Sequence, residues 1–220
     1  MSDKQRYNQD LEGHQVDNLK VKGGHYLSDS YDSKGRFASY WHQINEILIL
    51  QPTTVLEVGV GNGFLSEYLR KRRVTLTTVD FDERLKPDVV GSVLNLPFED
   101  QEFDVVVCYQ VLEHMPYNDL NIALGELRRA SRRKVIISLP DATPKATLHL
   151  RLPLICNRGI VLSFPLEVHQ HVFDGQHYWE IGKKNSPLRI IAETIRKAGF
   201  TIERTYRVYE FPYHRFFVLR

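Results

Sequence analysis

Gly59, Gly61 and Gly63 alternate in VLEVGVGNGF (55–64), with Glu57 two residues ahead of the first and Asp80 seventeen residues after the last. Glycines at such places let a chain leave a strand sharply and let a ligand touch the main chain. A helix that starts at the last glycine points free N–H groups at the ligand and favours its anionic part. A carboxylate ending the next strand can accept from both hydroxyls of a ribose. The implied chemistry is binding of a ribose-containing ligand with an anionic group, across two neighbouring strands.

Two nucleosides meet that description, a dinucleotide and S-adenosylmethionine. The dinucleotide spacing is G-x-G-x-x-G, whereas this loop reads G-x-G-x-G. Glu57 beside a pyrophosphate would be repelled, but beside the ammonium of a methionine moiety it would be attracted. Charge complementarity therefore favours S-adenosylmethionine.

The elements that must hold these residues follow from periodicity. Val55–Val58 reads as a strand, Phe64–Arg72 as a helix with Leu65, Tyr68 and Leu69 inward, and Thr75–Val79 as a strand ending at Asp80. Val89–Val90, Phe103–Tyr109 and Lys134–Leu139 read as further strands, with a helix over Asn118–Ala130. VVVC and VIIS are continuously apolar, as strands buried on both faces are. Strand, helix and strand at this spacing imply a parallel sheet. Ahead of it, residues 39–50 predict a helix with Trp41, Ile44 and Leu48 on its inner face and Ile47 beside them, stopped by Pro52. The rhythm breaks over 141–186, a long and rather apolar connection expected to be an acceptor-side insertion or lid. An inserted subdomain burying its own side chains, a dimer contact and a membrane-touching segment are the other readings of it. Pro187–Ala198 is a helix closed by Gly199, and Thr201–Tyr209 with Arg215–Leu219 make an antiparallel hairpin. The expected fold is α/β and Rossmann-like: a mostly parallel sheet, helices on both faces and a terminal antiparallel hairpin. Residues 1–38 form an N-terminal extension or flap, and 39–220 the domain.

At these residues the chain resembles the class I S-adenosylmethionine-dependent methyltransferases, the methyltransferase type 11 group in particular. VLEVGVGNG (55–63), VD (79–80), LPFEDQEFDVVV (96–107) and VLEHMP (111–116) carry the resemblance. It implies S-adenosyl-L-methionine as cofactor, with Gly59, Gly61 and Gly63 on its methionine and ribose side. It further implies Glu57 near the amino group, Asp80 on the ribose, Phe81 flanking the adenine and Gln110 near the methionine end. Ser92, followed by Val93, stands where the family usually has an Asp on the adenine amino group, so that contact is weaker or made by the backbone. YDSKGRFASYW (31–41) resembles the entrance helix that closes over the cofactor, with Tyr31 and Arg36 facing it and Arg36 on its carboxylate.

Methyl transfer is an in-line displacement that requires a base only when the nucleophile is protonated. Glu113 and His114 follow the fourth strand, at the face where such sheets bind ligands. They are the catalytic candidates, His114 having the alternative role of fixing a loop through a backbone carbonyl. His169, His171 and His177 form a second cluster whose spacing fits no zinc pattern, so no metal is expected. That segment is expected to fold over the active site with His171, Tyr178 and Glu180 toward the substrate. After the fourth strand stands CYQVLEH rather than N-P-P-Y, and there is neither a Pro-Cys nucleophile nor an Asp–Asp–Asn magnesium set.

The formal charge of +2, from 29 Lys and Arg against 27 Asp and Glu, makes no case for nucleic acid as partner. The basic runs at 70–73 and 128–134 read as solvated helix ends. Two cysteines, a polar start and no membrane-length apolar run point to a cytoplasmic protein. The expected activity is methyl transfer to a small molecule with an apolar part allowed, the acceptor atom and oligomeric state staying open. The alternatives are a non-catalytic cofactor-binding protein and a nicotinamide-dependent oxidoreductase. Asp80→Ala is expected to weaken cofactor binding without unfolding the protein.

Overall fold

The computed structural model describes residues 31–152, 156–164 and 169–220, with side chains omitted at 149–152 and 156–158. Helix α1 (Lys34–Leu48) precedes β1 (Thr54–Val58), α2 (Phe64–Lys71), β2 (Thr75–Asp80) and β3 (Val89–Val90). Then come β4 (Phe103–Tyr109), α3 (Leu120–Ala130), β5 (Ser131–Pro140) and the hairpin β6 (Lys145–Leu152) and β7 (Cys156–Ser163). Helix α4 (Leu188–Lys197) leads to β8 (Ile202–Arg207) and β9 (His214–Leu219).

Seven strands form one sheet in the order β3-β2-β1-β4-β5-β9-β8. β3, β2, β1, β4 and β5 pair in parallel, while β9 runs antiparallel to both β5 and β8. The chain reverses its direction of travel across the sheet between β1 and β4, and ligands of such sheets bind in the crevice beyond that point. Val105, Val106 and Val107 are all fully buried because consecutive strand residues face opposite layers. Val106 joins Leu124, Leu127, Ile191 and Ile195 on the face carrying α3 and α4. Val105 and Val107 join Ile47, Leu65 and Leu69 on the face carrying α1 and α2.

The described structure departs from the sequence expectations in three places. Helix α1 begins five residues early, because Ser33 caps it by accepting Arg36 N at 3.3 Å. The boundary expected at residue 38 therefore falls inside a helix. Its inner face holds Ser39, Tyr40, Gln43, Glu46 and Ile47, while Trp41 is 60% exposed. Ile44, Ile47 and Leu48 pack on the core as expected, and polar bonds hold the neighbouring inward positions: Ser39 Oγ meets His214 Nδ1 at 2.8 Å, and Glu46 accepts from Tyr206 OH at 2.7 Å and from Arg204. Tyr68, expected inward, is also exposed. Between β5 and α4 stands the separate β6–β7 hairpin. Leu148, Ile160, Leu162 and Phe164 are exposed on it, so its described part is not a subdomain that buries its own apolar residues.

An ionic knot fixes the root of that hairpin. Asp141, fully buried just after β5, accepts from Arg215 Nε at 2.6 Å and from Thr143 N at 2.9 Å. Arg207 Nη2 donates to the Asp141 carbonyl at 2.9 Å, and Arg207 Nη1 reaches Ser163 Oγ at 3.2 Å.

Candidate active site

The three loop glycines lie between β1 and α2 with φ of 87°, 57° and 76°, a region that side chains other than glycine enter at a cost. A Cβ on Gly59 would stand 2.3 Å from Val111 Cγ2, whereas one on Gly61 would meet nothing within 4 Å. Gly59 thus serves close packing, and Gly61 leaves bare backbone facing open space.

Two buried acids flank this cradle. Asp80 accepts from Val60 N at 2.8 Å and from Asp82 N at 2.9 Å, tying the glycine loop to the end of β2. Burial raises its pKa, and the two amide bonds oppose that. Glu57 is 4% exposed, and its Oε2 has no hydrogen-bond partner. Burial pushes its pKa up to about 8, with Arg70 opposing and the Asp80 and Asp88 charges adding. A second unpartnered atom is Arg36 Nε on α1, whose guanidinium lies 3.9 Å above the Tyr31 ring. An orphaned carboxylate, an orphaned guanidinium nitrogen and a cradle with open space are the complements of an ammonium, a carboxylate and a nucleoside.

Several contacts that hold α1 on the loop were invisible to spacing. Asn62 Nδ2 donates to Tyr40 OH at 3.0 Å and to Asp32 Oδ1 at 3.2 Å. Phe64 stacks on Tyr40 at 4.7 Å and meets Phe37 edge-on at 5.6 Å. Asn62 lies inside the glycine motif and gave the only signal; Asp32 and Tyr40 gave none.

The remaining cofactor-side candidates are placed as follows. Phe81 is 49% exposed just beyond β2. Ser92 Oγ accepts from Leu94 N at 3.2 Å, and the Val93 side chain is part of the core, leaving its main chain for any ligand contact. Gln110 follows β4 with φ 55°, an uncommon conformation for its type and one found at functional sites. With its amide turned to satisfy both ends, it accepts from Leu139 N at 3.1 Å and donates to Glu113 Oε1 at 3.3 Å.

A second cluster of titratable groups lies beyond β4. Glu113 and His114 occupy the 3-10 turn Leu112–His114. Glu113 is fully buried, its Oε2 is unpartnered, and burial raises its pKa to about 7 against the pull of His177. His114 Nδ1 lies 3.0 Å from the Gln176 carbonyl. The segment after the hairpin adds His177, whose Nδ1 is 2.9 Å from Glu180 Oε1. Glu113, His114 and His177 each bring one ligand atom within 4.8 Å of the others, and so do Asp174, His177 and Glu180. The sequence expectation of no metal thus meets two groups close enough to hold one. Among the acceptor-side candidates, Glu180 joins this cluster. His171 instead spends Nε2 on the His177 carbonyl at 2.7 Å, and the Tyr178 ring packs on Phe173 at 4.8 Å. Tyr213 and His177 were missing from the expected site residues.

The unpaired acid suits an ammonium and would oppose a pyrophosphate, and β9 closes the sheet antiparallel where a second mononucleotide half would need parallel strands. The fold is shared with methyltransferases solved with S-adenosylhomocysteine bound. Residues 56–139 match a family model described as a methyltransferase domain. The ubiquinone biosynthesis O-methyltransferase of Coxiella burnetii (strain Dugway 5J108-111) is 33% identical over 87 residues, covering 33% of this chain and 37% of that protein. The protein of the same description from Pseudomonas entomophila is 33% identical over 141 residues, covering 57% and 60%. The chain thus spans between about a third and three-fifths of the length of these curated relatives. Burkholderia thailandensis 1,6-didemethyltoxoflavin-N1-methyltransferase, solved with S-adenosylhomocysteine, shares the fold with a TM-score of 0.61 at 18% identity, over 100% of this chain and 91% of that one. Magnesium protoporphyrin IX methyltransferase from Synechocystis PCC 6803 has a TM-score of 0.59 at 16% identity, over 99% of each chain.

Gly59→Ala is expected to abolish S-adenosylhomocysteine binding by calorimetry, since its Cβ must displace Val111 and its φ is unfavourable. Gly125→Ala, on the exposed side of α3 with nothing within 4 Å, is expected to bind normally and melt slightly higher. Equal binding by both variants would contradict this account of the loop.

Proposed function

We propose that the protein transfers the methyl group of S-adenosylmethionine to a small-molecule acceptor. The observation that carries the reading is the buried acid–histidine cluster next to the nucleoside cradle, linked to it by the Gln110–Glu113 contact. In this reading Glu57 pairs with the cofactor's ammonium, Arg36 beneath Tyr31 meets its carboxylate, and Asp80 accepts from the ribose. Phe81 covers the adenine, Ser92 and the Val93 main chain meet its edge, and Gln110 borders the methionine end. Glu113 and His114 mark the acceptor side. The cofactor supplies a sulfonium methyl, a group ready to leave, so the protein's work is alignment and proton removal. The exposed apolar side chains of β6–β7 support an acceptor with an apolar part. No described helix is long and apolar enough to cross a membrane. The near-neutral charge and few cysteines support a cytoplasmic protein that does not act on nucleic acid.

The test is calorimetry with S-adenosylmethionine, S-adenosylhomocysteine and NADH, followed by a screen of phenol, catechol and amine acceptors. Binding of the sulfur nucleosides with transfer to an acceptor supports the reading. Binding without any transfer moves a non-catalytic role forward, and NADH binding moves an oxidoreductase forward.

The Glu57–ammonium pair makes a separate prediction. With a pKa of about 8, Glu57 is protonated in the free protein at pH 7 and must ionise to pair. Binding is expected to release about 0.9 proton at pH 7, and affinity to rise with pH up to about 8. Calorimetry in buffers of different ionisation enthalpy reads the release directly. Glu57→Gln should remove it; an unchanged release would place the proton elsewhere.

A further inference from the structure

We infer that His177 takes the acceptor's proton and that Glu180 and Tyr213 are the residues that position it; this rests on the methyl-transfer reading. In the transfer, the acceptor oxygen bonds to the methyl carbon and the broken carbon–sulfur bond leaves its electron pair on sulfur. The acceptor's proton moves to Nε2 of His177.

The geometry of the ring singles it out. A carboxylate only accepts, so the 2.9 Å contact to Glu180 Oε1 places the proton of neutral His177 on Nδ1 and its lone pair on Nε2. Tyr213 OH also donates to Glu180 Oε1 and lies 3.4 Å from His177 Nδ1, so the carboxylate is fixed from two elements. The backbone beneath the ring is pegged as well. Asp174 Oδ1 accepts from His177 N at 2.8 Å and from Gln176 N at 2.9 Å, and Tyr178 N donates to the Glu113 carbonyl at 2.8 Å.

Two other groups compete for the role, and each is committed differently. His114 donates Nδ1–H to the Gln176 carbonyl, the residue just before His177, and so holds the base-bearing segment against the turn after β4. The two rings are 5.1 Å apart. Glu113 is fully buried, whereas 16% of the His177 side chain remains exposed and able to meet an incoming acceptor. Glu113 then serves as a nearby carboxylate that favours the imidazolium once formed.

The groups around His177 are the Glu113, Asp174 and Glu180 carboxylates, the His114, His171 and His214 imidazoles and the Tyr213 hydroxyl. Burial disfavours its charged form, but the Glu180 bond and the Glu113, Glu180 and Asp174 charges outweigh burial and raise its pKa. An upward shift of this kind makes the imidazole a stronger base for removal of a hydroxyl proton.

The experiment compares two phenolic probes. Catechol is protonated near neutral pH, and pentafluorophenol is already ionised. His177→Asn is expected to lower kcat for catechol on the order of 100- to 10,000-fold, the usual worth of a positioned base. Transfer to pentafluorophenolate should stay within about threefold, and S-adenosylhomocysteine affinity should not change. Glu180→Gln and Tyr213→Phe should lower catechol turnover less, and Glu180→Gln should move the acid limb of the pH–rate profile to lower pH, because the lost charge no longer holds the His177 proton. Equal losses on both probes, or none on catechol, would overturn the assignment. So would loss of wild-type activity with EDTA and its recovery with Mg2+ or Zn2+, since a metal would then occupy the Nε2 lone pair. Wild-type transfer to neither probe overturns the assignment of a hydroxyl acceptor, and failure of the amine acceptors as well overturns methyl transfer itself; both outcomes are told apart because they appear before any substitution.

Discussion

An Asp141→Ala variant is expected to lose about 3–5 kcal/mol of stability, the usual cost of removing one partner from a buried ion pair. Asp141 is fully exposed to no solvent, and the Arg207 and Arg215 side chains around it are only 2% and 11% exposed. Its removal leaves two guanidinium groups in a poorly solvated place with one acceptor fewer. Burial already lowers the Arg207 pKa, with Asp141 opposing that effect and Arg215 adding to it. Thr143 N loses its acceptor too, which adds the cost of an unmade hydrogen bond. For a chain of this size the melting temperature should fall by roughly 6–20 °C. Thermal and urea melts read this directly, and a loss under about 1 kcal/mol would mean that the knot relaxes or takes in water. Replacing Arg189, whose pair with Glu193 is exposed on α4, should cost much less and serves as the comparison.

The second large effect concerns the cofactor. Asp80→Asn is expected to weaken S-adenosylhomocysteine binding by about 100-fold or more, because each hydrogen bond to a charged group contributes about 1.5–3 kcal/mol. Alanine is the poorer test, although the motif alone suggests it. Asp80 also accepts from Val60 N and Asp82 N, so its deletion would loosen the glycine loop and confuse binding with folding. Asparagine retains one acceptor oxygen. Ser92→Ala should change affinity by no more than about threefold, the effect of one weak neutral bond. An Asp80→Asn protein with wild-type affinity would remove the ribose assignment.

The strands were the most legible part of this chain. Phe103–Tyr109 is a strand with the limits that its apolar run predicts, because burial on both faces leaves a continuous hydrophobic signature. The glycine spacing likewise announced its backbone conformation, since side chains other than glycine seldom adopt positive φ. Helix α1 was misread only at its start and at Trp41, for a physical reason. Apolar periodicity placed Ile44, Ile47 and Leu48 on the core, but it cannot foresee that Ser39 and Glu46 also point inward, held by His214 and Arg204. Those partners are 175 and 158 residues away, beyond any local pattern. The β6–β7 hairpin was read only as a long connection, and its pairing of Lys145 with Ser163 has no tight-turn signature to mark it. The acceptor side was half legible. LEH drew attention by following an apolar strand, and the histidine-rich segment drew it by composition. Glu180 meets both His177 and Tyr213, and Tyr213 sits in a turn with no motif of its own.

The place of β9 also bears on the order in which the protein matures. β9 lies between β5 and β8, yet it is the latest strand of the sheet in chain order. The parallel strands β1 to β5 can pair as soon as residue 140 is made, whereas the polar face of α1 waits for Arg204, Tyr206 and His214. Arg215 of β9 and Tyr213 just before it reach Asp141 and Glu180 only after a further seventy residues of synthesis. Such distant contacts form late, because the entropy of closing the loop is spent before any contact repays it. A nascent chain would therefore complete its parallel strands first and gain the partners of Asp141, Glu180 and α1 last.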